Sequence, residues 1–283
     1  MRPVSELPRA TCQALRGVLF DLDDTLLDHG QLSLPAYRAL WELADAGLIL
    51  VAVTGRPVSW GDLIAQQWPI HGAVSENGHL ASARRLENQT GDQTGDAGSR
   101  PARHPATHPL GRVVRFDWTP NEIRSNRTAR LTELTQELMA RFPELTPASD
   151  VGGRVSDFTF DIGEHRRAPP TLVAEASAAA RARGARTTVS SVHLHISFDT
   201  DDKASGSVAF LHQLLGIDST EALGRFAYIG DSENDAPCFA AYRVTVGVAN
   251  LSGAPSVPPR YRTTAPRGQG FAELAEVLLR ARS

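Results

Sequence analysis

Gly17-Val18-Leu19-Phe20-Asp21-Leu22-Asp23-Asp24-Thr25-Leu26-Leu27 is the stretch on which the rest of the chain is read. It begins as a short apolar run, Val18 to Phe20, which suits a strand buried on both faces. It then breaks into three carboxylates within four residues. A buried strand that ends in acids places them at its carboxyl end, where open α/β sheets put their active sites. Asp21 and Asp23, two apart on an extended chain, point the same way, and Asp24 points the other way. Converging carboxylates repel unless a cation or a proton lies between them. The alternative for this motif taken alone is an acidic turn that caps the following helix.

Composition narrows the field. The 283 residues, 41% of them hydrophobic, suffice for two domains or one large one. A net charge of −3 carries no electrostatic footprint for nucleic acid. Two cysteines, Cys12 and Cys238, give neither a disulfide framework nor metal-site spacing. No apolar run approaches the roughly 18 residues of a membrane span, and the N-terminus lacks the apolar centre of a signal peptide. The expectation is a cytoplasmic protein, monomer or homodimer, acting on a small molecule and on neither nucleic acid nor membrane.

Around the opening motif, strand and helix alternate. Leu34, Leu40, Trp41, Ala44 and Leu48 recur at helical spacing, with Gly47 as a stop. Leu48 to Val53 is a second fully apolar strand, ending in Thr54-Gly55-Arg56-Pro57, and a helix from Val58 to Trp68 follows. A third strand, Gly72 to Ser75, ends in Glu76-Asn77-Gly78. Strands that end in polar residues or glycine and are joined by helices form a parallel sheet of βαβ units.

The character changes at residues 88–109, rich in Gly, Pro, Thr and His without periodicity, which suits a loop or a partly disordered insertion. His104 and His108 lack the partner cluster a metal site needs. From Gly111 to Phe198 the strands alternate polar and apolar residues: Val113 to Phe116, Val155 to Ile162, Thr187 to Val189, and Val192 to Phe198. Helices are expected from Pro120 to Phe142 and from Thr171 to Arg183. That pattern suits an antiparallel sheet with helices on one face. Buried-type strands then return at Phe226 to Ile229 and Val244 to Val248, after a helix opened by Asp201-Asp202-Lys203 and before a last helix from Gly270 to Arg282. The expected architecture is α/β: a Rossmann-like parallel-sheet core of residues 1–83 and 200–283, interrupted by an α+β cap of residues 84–199.

DLDDT at 21–25, Thr54-Gly55-Arg56 after a strand, Lys203 on a helix and GDSEND at 230–235 occur in the order of the four motifs of the haloacid dehalogenase superfamily, which the chain resembles. The insertion between the second and third motifs, with the SENG step at 75–78, resembles the branch with a large α/β cap. That branch includes Cof-type sugar phosphatases, sucrose-phosphate, trehalose-phosphate and mannosyl-3-phosphoglycerate phosphatases, and phosphomannomutases. The resemblance implies that Mg²⁺ is held by Asp21, the carbonyl of Asp23, and Asp231, with Asn234 or Asp235 in direct or water-mediated support.

The chemistry follows from the residues as well. A phosphomonoester repels nucleophiles, so its site must neutralise charge and align the reactants. Asp21 suits the nucleophile that forms an acyl phosphate. Asp23 suits the acid/base that protonates the leaving alcohol and then deprotonates water. A divalent cation lets anionic Asp21 approach the phosphate, and oxygen-rich ligands favour Mg²⁺. Thr54 and the Gly55 amide offer an anion seat, and Lys203 supplies positive charge. Arg56 either touches substrate or forms a surface ion pair. Asn77 is a turn residue or a substrate contact, and Asp24 is expected to satisfy turn amides. Ser190, Ser191, His193, His195, Asp157 and Asp161 are cap positions able to meet sugar hydroxyls. The expected activity is hydrolysis of a sugar phosphate or glycosyl phosphoglycerate. The alternatives are a phosphosugar mutase and a non-catalytic sugar-phosphate-binding protein. A dehalogenase has no need of Asp23, and the superfamily's ATPases carry Thr there and need membrane spans.

Overall fold

In the computed structural model, which describes residues 1–86, 111–190, 192–251 and 253–283, strand and helix alternate through the first part of the chain. The stretch 88–109 with its histidines, and Ser191, lie outside the described residues. The order is β1 (Arg2–Pro3), α1 (Arg9–Ala14), β2 (Gly17–Phe20), the small hairpin β3 (Leu27–Asp28) and β4 (Gln31–Leu32), α2 (Leu34–Asp45), β5 (Ile49–Val53), α3 (Val58–Gln67), β6 (Gly72–Ser75) and β7 (Leu80–Leu86). There follow β8 (Gly111–Asp117), α4 (Asn121–Arg141), β9 (Thr146–Pro147), β10 (Asp157–Asp161), α5 (Pro170–Ala182), β11 (Arg186–Val189) and β12 (His193–Ser197). The chain ends with α6 (Lys203–Leu215), α7 (Ser219–Arg225), β13 (Phe226–Gly230), α8 (Ala236–Ala241), β14 (Val244–Gly247), β15 (Tyr261–Arg262) and α9 (Arg267–Arg282).

The large sheet runs β1-β15-β14-β13-β2-β5-β6-β7-β8. It is parallel from β1 to β6 and antiparallel over β7 and β8. β2 lies at its centre, between β13 and β5. Successive residues of β2 serve opposite cores. Val18 and Phe20 pack with Leu40 and Leu43 of α2 and Leu274 and Leu278 of α9. Leu19 packs with Phe210 and Leu211 of α6, Ala222 of α7 and Phe239 of α8. A strand covered on both faces has no polar position to spare, so its carboxylates fall where it ends.

A second sheet, β11-β12-β10-β9, is antiparallel. One face carries Phe160, Leu194 and Ile196, packed on Leu131, Leu134 and Leu138 of α4 and Ala176 and Ala180 of α5. The other carries Asp157, Thr159, His193, His195 and Ser197, all buried. The alternation seen in the sequence is therefore real, but the polar face is turned inward. The strand expected at 113–116 within the insertion's own sheet is instead β8, at the edge of the large sheet and paired with β7. A period of two marks any half-covered antiparallel strand, and it does not say which sheet the strand joins.

The turn after β6 joins the layers. Gly78 has φ +110°, and a Cβ there would meet the Asp202 carbonyl at 2.0 Å. A Cβ on Gly206 would meet the Gly78 carbonyl at 2.2 Å. These paired glycines let the first turn of α6 lie against the chain after β6. Glu76, fully buried, accepts hydrogen bonds from the amides of Val58 (3.1 Å), Val155 (3.1 Å) and Ser156 (2.7 Å), and from Ser156 Oγ (2.6 Å). It ties the carboxyl end of β6 to α3 and to the segment before β10.

Burial pushes the Glu76 carboxyl up to about 7, with Asp157 adding repulsion and the Ser156 and Val58 donors opposing. A carboxyl raised in the folded state contributes stability that is full below its ordinary range, near pH 4.5, and is lost as pH rises through about 7. Glu76→Gln should flatten the fall in urea-unfolding free energy over that window. It should also lower stability at the acid end by about 1–3 kcal/mol, because an amide NH₂ would face main-chain donors. A variant whose slope matches the parent would show that Glu76 does not carry the dependence.

Candidate active site

The carboxyl ends of β13, β2, β5 and β6 stand side by side, so Asp231, Asp21, Thr54-Gly55 and Glu76-Asn77 line one sheet edge in that order. The Asp21 amide extends the β2 ladder with a 3.0 Å bond to the Ile229 carbonyl. Lys203, at the first position of α6, is 1% exposed and lies between two carboxylates. Its Nζ is 2.8 Å from Asp21 Oδ1 and 2.7 Å from Asp235 Oδ1. An ammonium at a helix N-terminus opposes the helix dipole, and the two carboxylates offset that cost.

Asp235 is a scaffold for this lysine. Its Oδ1 also accepts the Tyr228 hydroxyl at 2.5 Å, and its Oδ2 accepts the amides of Asp231 (2.9 Å) and Ser232 (3.1 Å). Four donors occupy the roughly four lone-pair directions of a carboxylate. Asp21, Asp231 and Asp235 together present oxygens within 4.8 Å of one another, all buried. With Asp235 engaged, Asp21 and Asp231 are the pair best able to hold a cation. Thr25 Oγ1 donates to Asp231 Oδ1 at 3.2 Å. Burial raises Asp21 to about 7, Lys203 opposing and Asp235 and Asp23 adding to the rise. Burial raises Asp231 well above the carboxylate range, with Asp21 and Asp235 next. Three acids and one ammonium leave a deficit of two positive charges, and the donors are all oxygen, so the set fits a divalent Mg²⁺.

Asp21, Asp23, Gly55, Arg56, Asp231, Ser232 and Asn234 wall a cavity of about 20 Å³, closed from the other side by Ser190, His193 and His195. Thr54 lies buried behind it. Its Oγ1 accepts the Arg56 amide at 3.1 Å, which leaves the hydroxyl proton free to donate. Arg56 grips Asp23: Nε lies 2.9 Å from Oδ2, and Nη2 lies 2.5 Å from Oδ1. The guanidinium rests on the Trp60 ring at 4.0 Å. Asn234 Oδ1 accepts from Ser232 Oγ at 2.7 Å. Asp24, at φ +56°, receives Arg267 Nε at 2.9 Å. Asn77 and Lys203 lie on the wall of an adjoining cleft of about 880 Å³, between β11–β12 and residues 232–257.

Among the cap positions, His195 Nδ1 lies 2.8 Å from Asp157 Oδ2, and Asp157 is bound by Arg154 Nη1 at 2.9 Å. Burial would raise Asp157, but Arg154 and His195 outweigh it and hold the carboxyl well below its usual range. His193 Nε2 meets Glu164 at 2.9 Å. Asp161 caps the turn after β10, accepting the amides of Gly163, Glu164 and His165. Tyr228, Glu76 and Arg154 are parts of the site that the sequence reading does not single out. Tyr228 reads as one more apolar residue of β13, and Arg154 sits in a loop between elements.

Residues 18–94 match the family model described as haloacid dehalogenase-like hydrolase. A search of curated protein sequences returns no match. Among solved structures, a Thermoplasma acidophilum protein is similar at TM-score 0.66 and 17% identity, over 93% of this chain and 98% of that one. The C-terminal domain of C. albicans trehalose-6-phosphate phosphatase is similar at 0.64 and 12%, over 99% and 98%. The sucrose-phosphatase of Synechocystis, solved with sucrose and phosphate, is similar at 0.60 and 16%, over 93% and 98%. At these identities the likeness is one of fold.

Lys203→Met should destabilise the protein by about 3–5 kcal/mol at neutral pH, because it strands buried carboxylates that had an ammonium between them. Urea unfolding measures the loss. A companion Tyr228→Phe, which removes one of four donors to Asp235, should cost only about 1 kcal/mol. Equal losses in the two variants would refute the bridging role given to Lys203.

Proposed function

We propose that this chain, a hydrolase of the haloacid dehalogenase superfamily, is a Mg²⁺-dependent phosphatase that cleaves a small phosphomonoester through an aspartyl phosphate. A sugar phosphate or glycosyl phosphoglycerate is the favoured substrate. The observation that carries the reading is Lys203 Nζ set between Asp21 and Asp235, with Asp231 beside them and Asp23 on the same cavity wall. Similarity of fold to sucrose- and trehalose-phosphate phosphatases supports the substrate class.

Asp21 and Asp231 would hold the metal, with Asn234 in support. Bound there, Mg²⁺ supplies the charge neutralisation that an anionic nucleophile and an anionic phosphate need. Lys203 keeps one Asp21 oxygen engaged and leaves the other to attack phosphorus. The Gly55 amide and the Thr54 hydroxyl are the donors placed to receive the phosphoryl oxygens. Asp23 gives its proton to the departing alcohol oxygen, then takes one from the water that cleaves the acyl phosphate. Arg56 fixes the plane of the Asp23 carboxylate, and Trp60 in turn supports Arg56. The core, expected over residues 1–83 and 200–283, also takes in the rest of β7 and β8, and the layer of β9 to β12 with α4 and α5 is the cap that shields the intermediate from bulk water.

Activity should vanish in chelator and in Asp231→Ala, and return to the wild-type protein with added Mg²⁺. Asp21→Asn should form no covalent adduct. Asp23→Asn should lose on the order of 10²–10⁴-fold on alkyl phosphates, the range of general acid–base catalysis. With an aryl phosphate, whose leaving group needs no proton, it should show a burst and accumulate phosphoryl mass on the peptide 17–27 in acid-quenched samples. Label on Asp23, or label persisting in Asp21→Asn, would reverse the two roles. Interconversion of positional isomers outpacing phosphate release would make the protein a mutase instead.

A further inference from the structure

We propose that His195 and Asn77 form a pair of neutral acceptors that reads hydroxyl groups on the leaving group, next to the ester oxygen. The inference rests on the phosphatase reading above and deepens it. His195 is 3% exposed, on the inward polar face of β12. Asp157 accepts from its Nδ1, and Arg154 holds Asp157 while also donating to the Gly55 carbonyl at 2.9 Å. A ring that gives its Nδ1 proton to a carboxylate presents Nε2 as a lone pair. Burial opposes a second proton on the imidazole, with Asp157 acting the other way.

That lone pair has no hydrogen-bond partner among the described residues. A Cβ built on Gly55 would lie 3.2 Å from His195 Nε2 and 3.2 Å from Asn77 Oδ1, so both atoms converge on the glycine at the floor of the site. Asn77 Oδ1 is buried and likewise unpartnered. Its backbone sits at φ +57°, which asparagine tolerates better than most residues, so the side chain is held here by the turn. His195 lines both the small acid cavity and the wide cleft, and Asn77 lines the cleft. An ester with its phosphoryl group at Asp21 and its alcohol in the cleft therefore passes His195, with Asn77 on the cleft wall.

An unpartnered buried acceptor such as Asn77 Oδ1 calls for a donor from the ligand, and His195 Nε2 beside it offers a second acceptor. The donors are hydroxyls rather than an ammonium. The second layer's own carboxylates here are already occupied, Asp157 by Arg154 and His195, and Asp199 by Arg124 and Arg127. The two atoms that converge on Gly55 belong to an imidazole and an amide, and a hydroxyl also accepts, so it satisfies the Asn77 amide in either orientation.

The test compares glycerol 1-phosphate and hexose 6-phosphates with propyl phosphate and p-nitrophenyl phosphate. Wild-type protein should prefer the hydroxylated alkyl esters to propyl phosphate by about 10-fold or more in kcat/KM, as sites built to bond a hydroxyl do. His195→Phe should abolish that preference, with the hydroxylated esters losing at least about 10-fold more kcat/KM than p-nitrophenyl phosphate does. His195→Gln, which restores an acceptor, should recover part of it, and Asn77→Ala should weaken it. An equal loss on every substrate would make His195 a packing residue and overturn the proposal. So would a wild-type protein indifferent to the hydroxyls. Failure of wild-type protein on all four classes, p-nitrophenyl phosphate included, would sink the phosphatase reading instead. Calorimetric binding of the unphosphorylated hexoses, weaker in His195→Phe, then decides the acceptor pair by itself.

Discussion

A buried lysine ammonium held between two carboxylates is the constraint on which this site depends. Lys203 can sit there only because α6 begins against the chain after β6, and it can begin there only because Gly78 and Gly206 let two backbones touch. Asp235 in turn uses all of its oxygens: Tyr228 and Lys203 on one, the amides of Asp231 and Ser232 on the other. The loop that presents Asp231 is thereby fixed to the same charge. Two glycines, one tyrosine and one scaffold aspartate thus determine where a nucleophile and a cation can stand.

The second sheet answers a different need. Its hydrophobic face is closed by α4 and α5, so its other face must be satisfied by polar contact. It carries Asp157, His193, His195 and Ser197, each given a specific partner and each buried over the ends of the core strands. Buried polar groups of this kind cost stability unless fully paired. Arg154 shows how the pairing is arranged. One guanidinium holds Asp150 and Asp157 and reaches the Gly55 carbonyl, so the orientation of His195 and the docking of the layer on the core share a single residue.

The core could be read from sequence because a doubly covered strand leaves no ambiguity. Val18 to Phe20 and Phe226 to Ile229 are apolar at every position, and the residues after them carry the chemistry. Lys203 was legible as a helix start, and its capping residue Asp202 accepts the Ser205 amide as such a start requires. Strands of period two were harder to assign. Val113 to Phe116 shows the same alternation as β10 and β12 yet pairs with β7, because alternation reports one covered face and not which sheet supplies it. Partnerships between elements were beyond sequence altogether. Asp157 and His195 meet only through the register of β10 against β12, Arg56 reaches Asp23 across two strands, and Glu76 looks like any turn acid until its donors are seen.

The contacts between the two layers are unevenly distributed, and this bears on how a substrate reaches Asp21. Glu76 holds Val155 and Ser156, His79 Nδ1 meets Ser156 Oγ at 3.0 Å, and Arg154 holds the Gly55 carbonyl. All of these ties gather on residues 154–156. Across the site, residues 187–190 face 232–237 and 253–257 over the wide cleft. Arg124 of α4 adds a tie to Asp117 of β8, at 2.7 and 2.8 Å. The small cavity at the acids and the wide cleft share Ser190, His195, Ser232 and Asn234 on their walls. His195 and Ser190 stand at that junction on the second layer, whereas Asp21, Lys203 and Asp231 stand at the edge of the large sheet. A ligand that bridges the two would draw them together, so the groups that read the alcohol are also the groups whose engagement closes water out of the reaction.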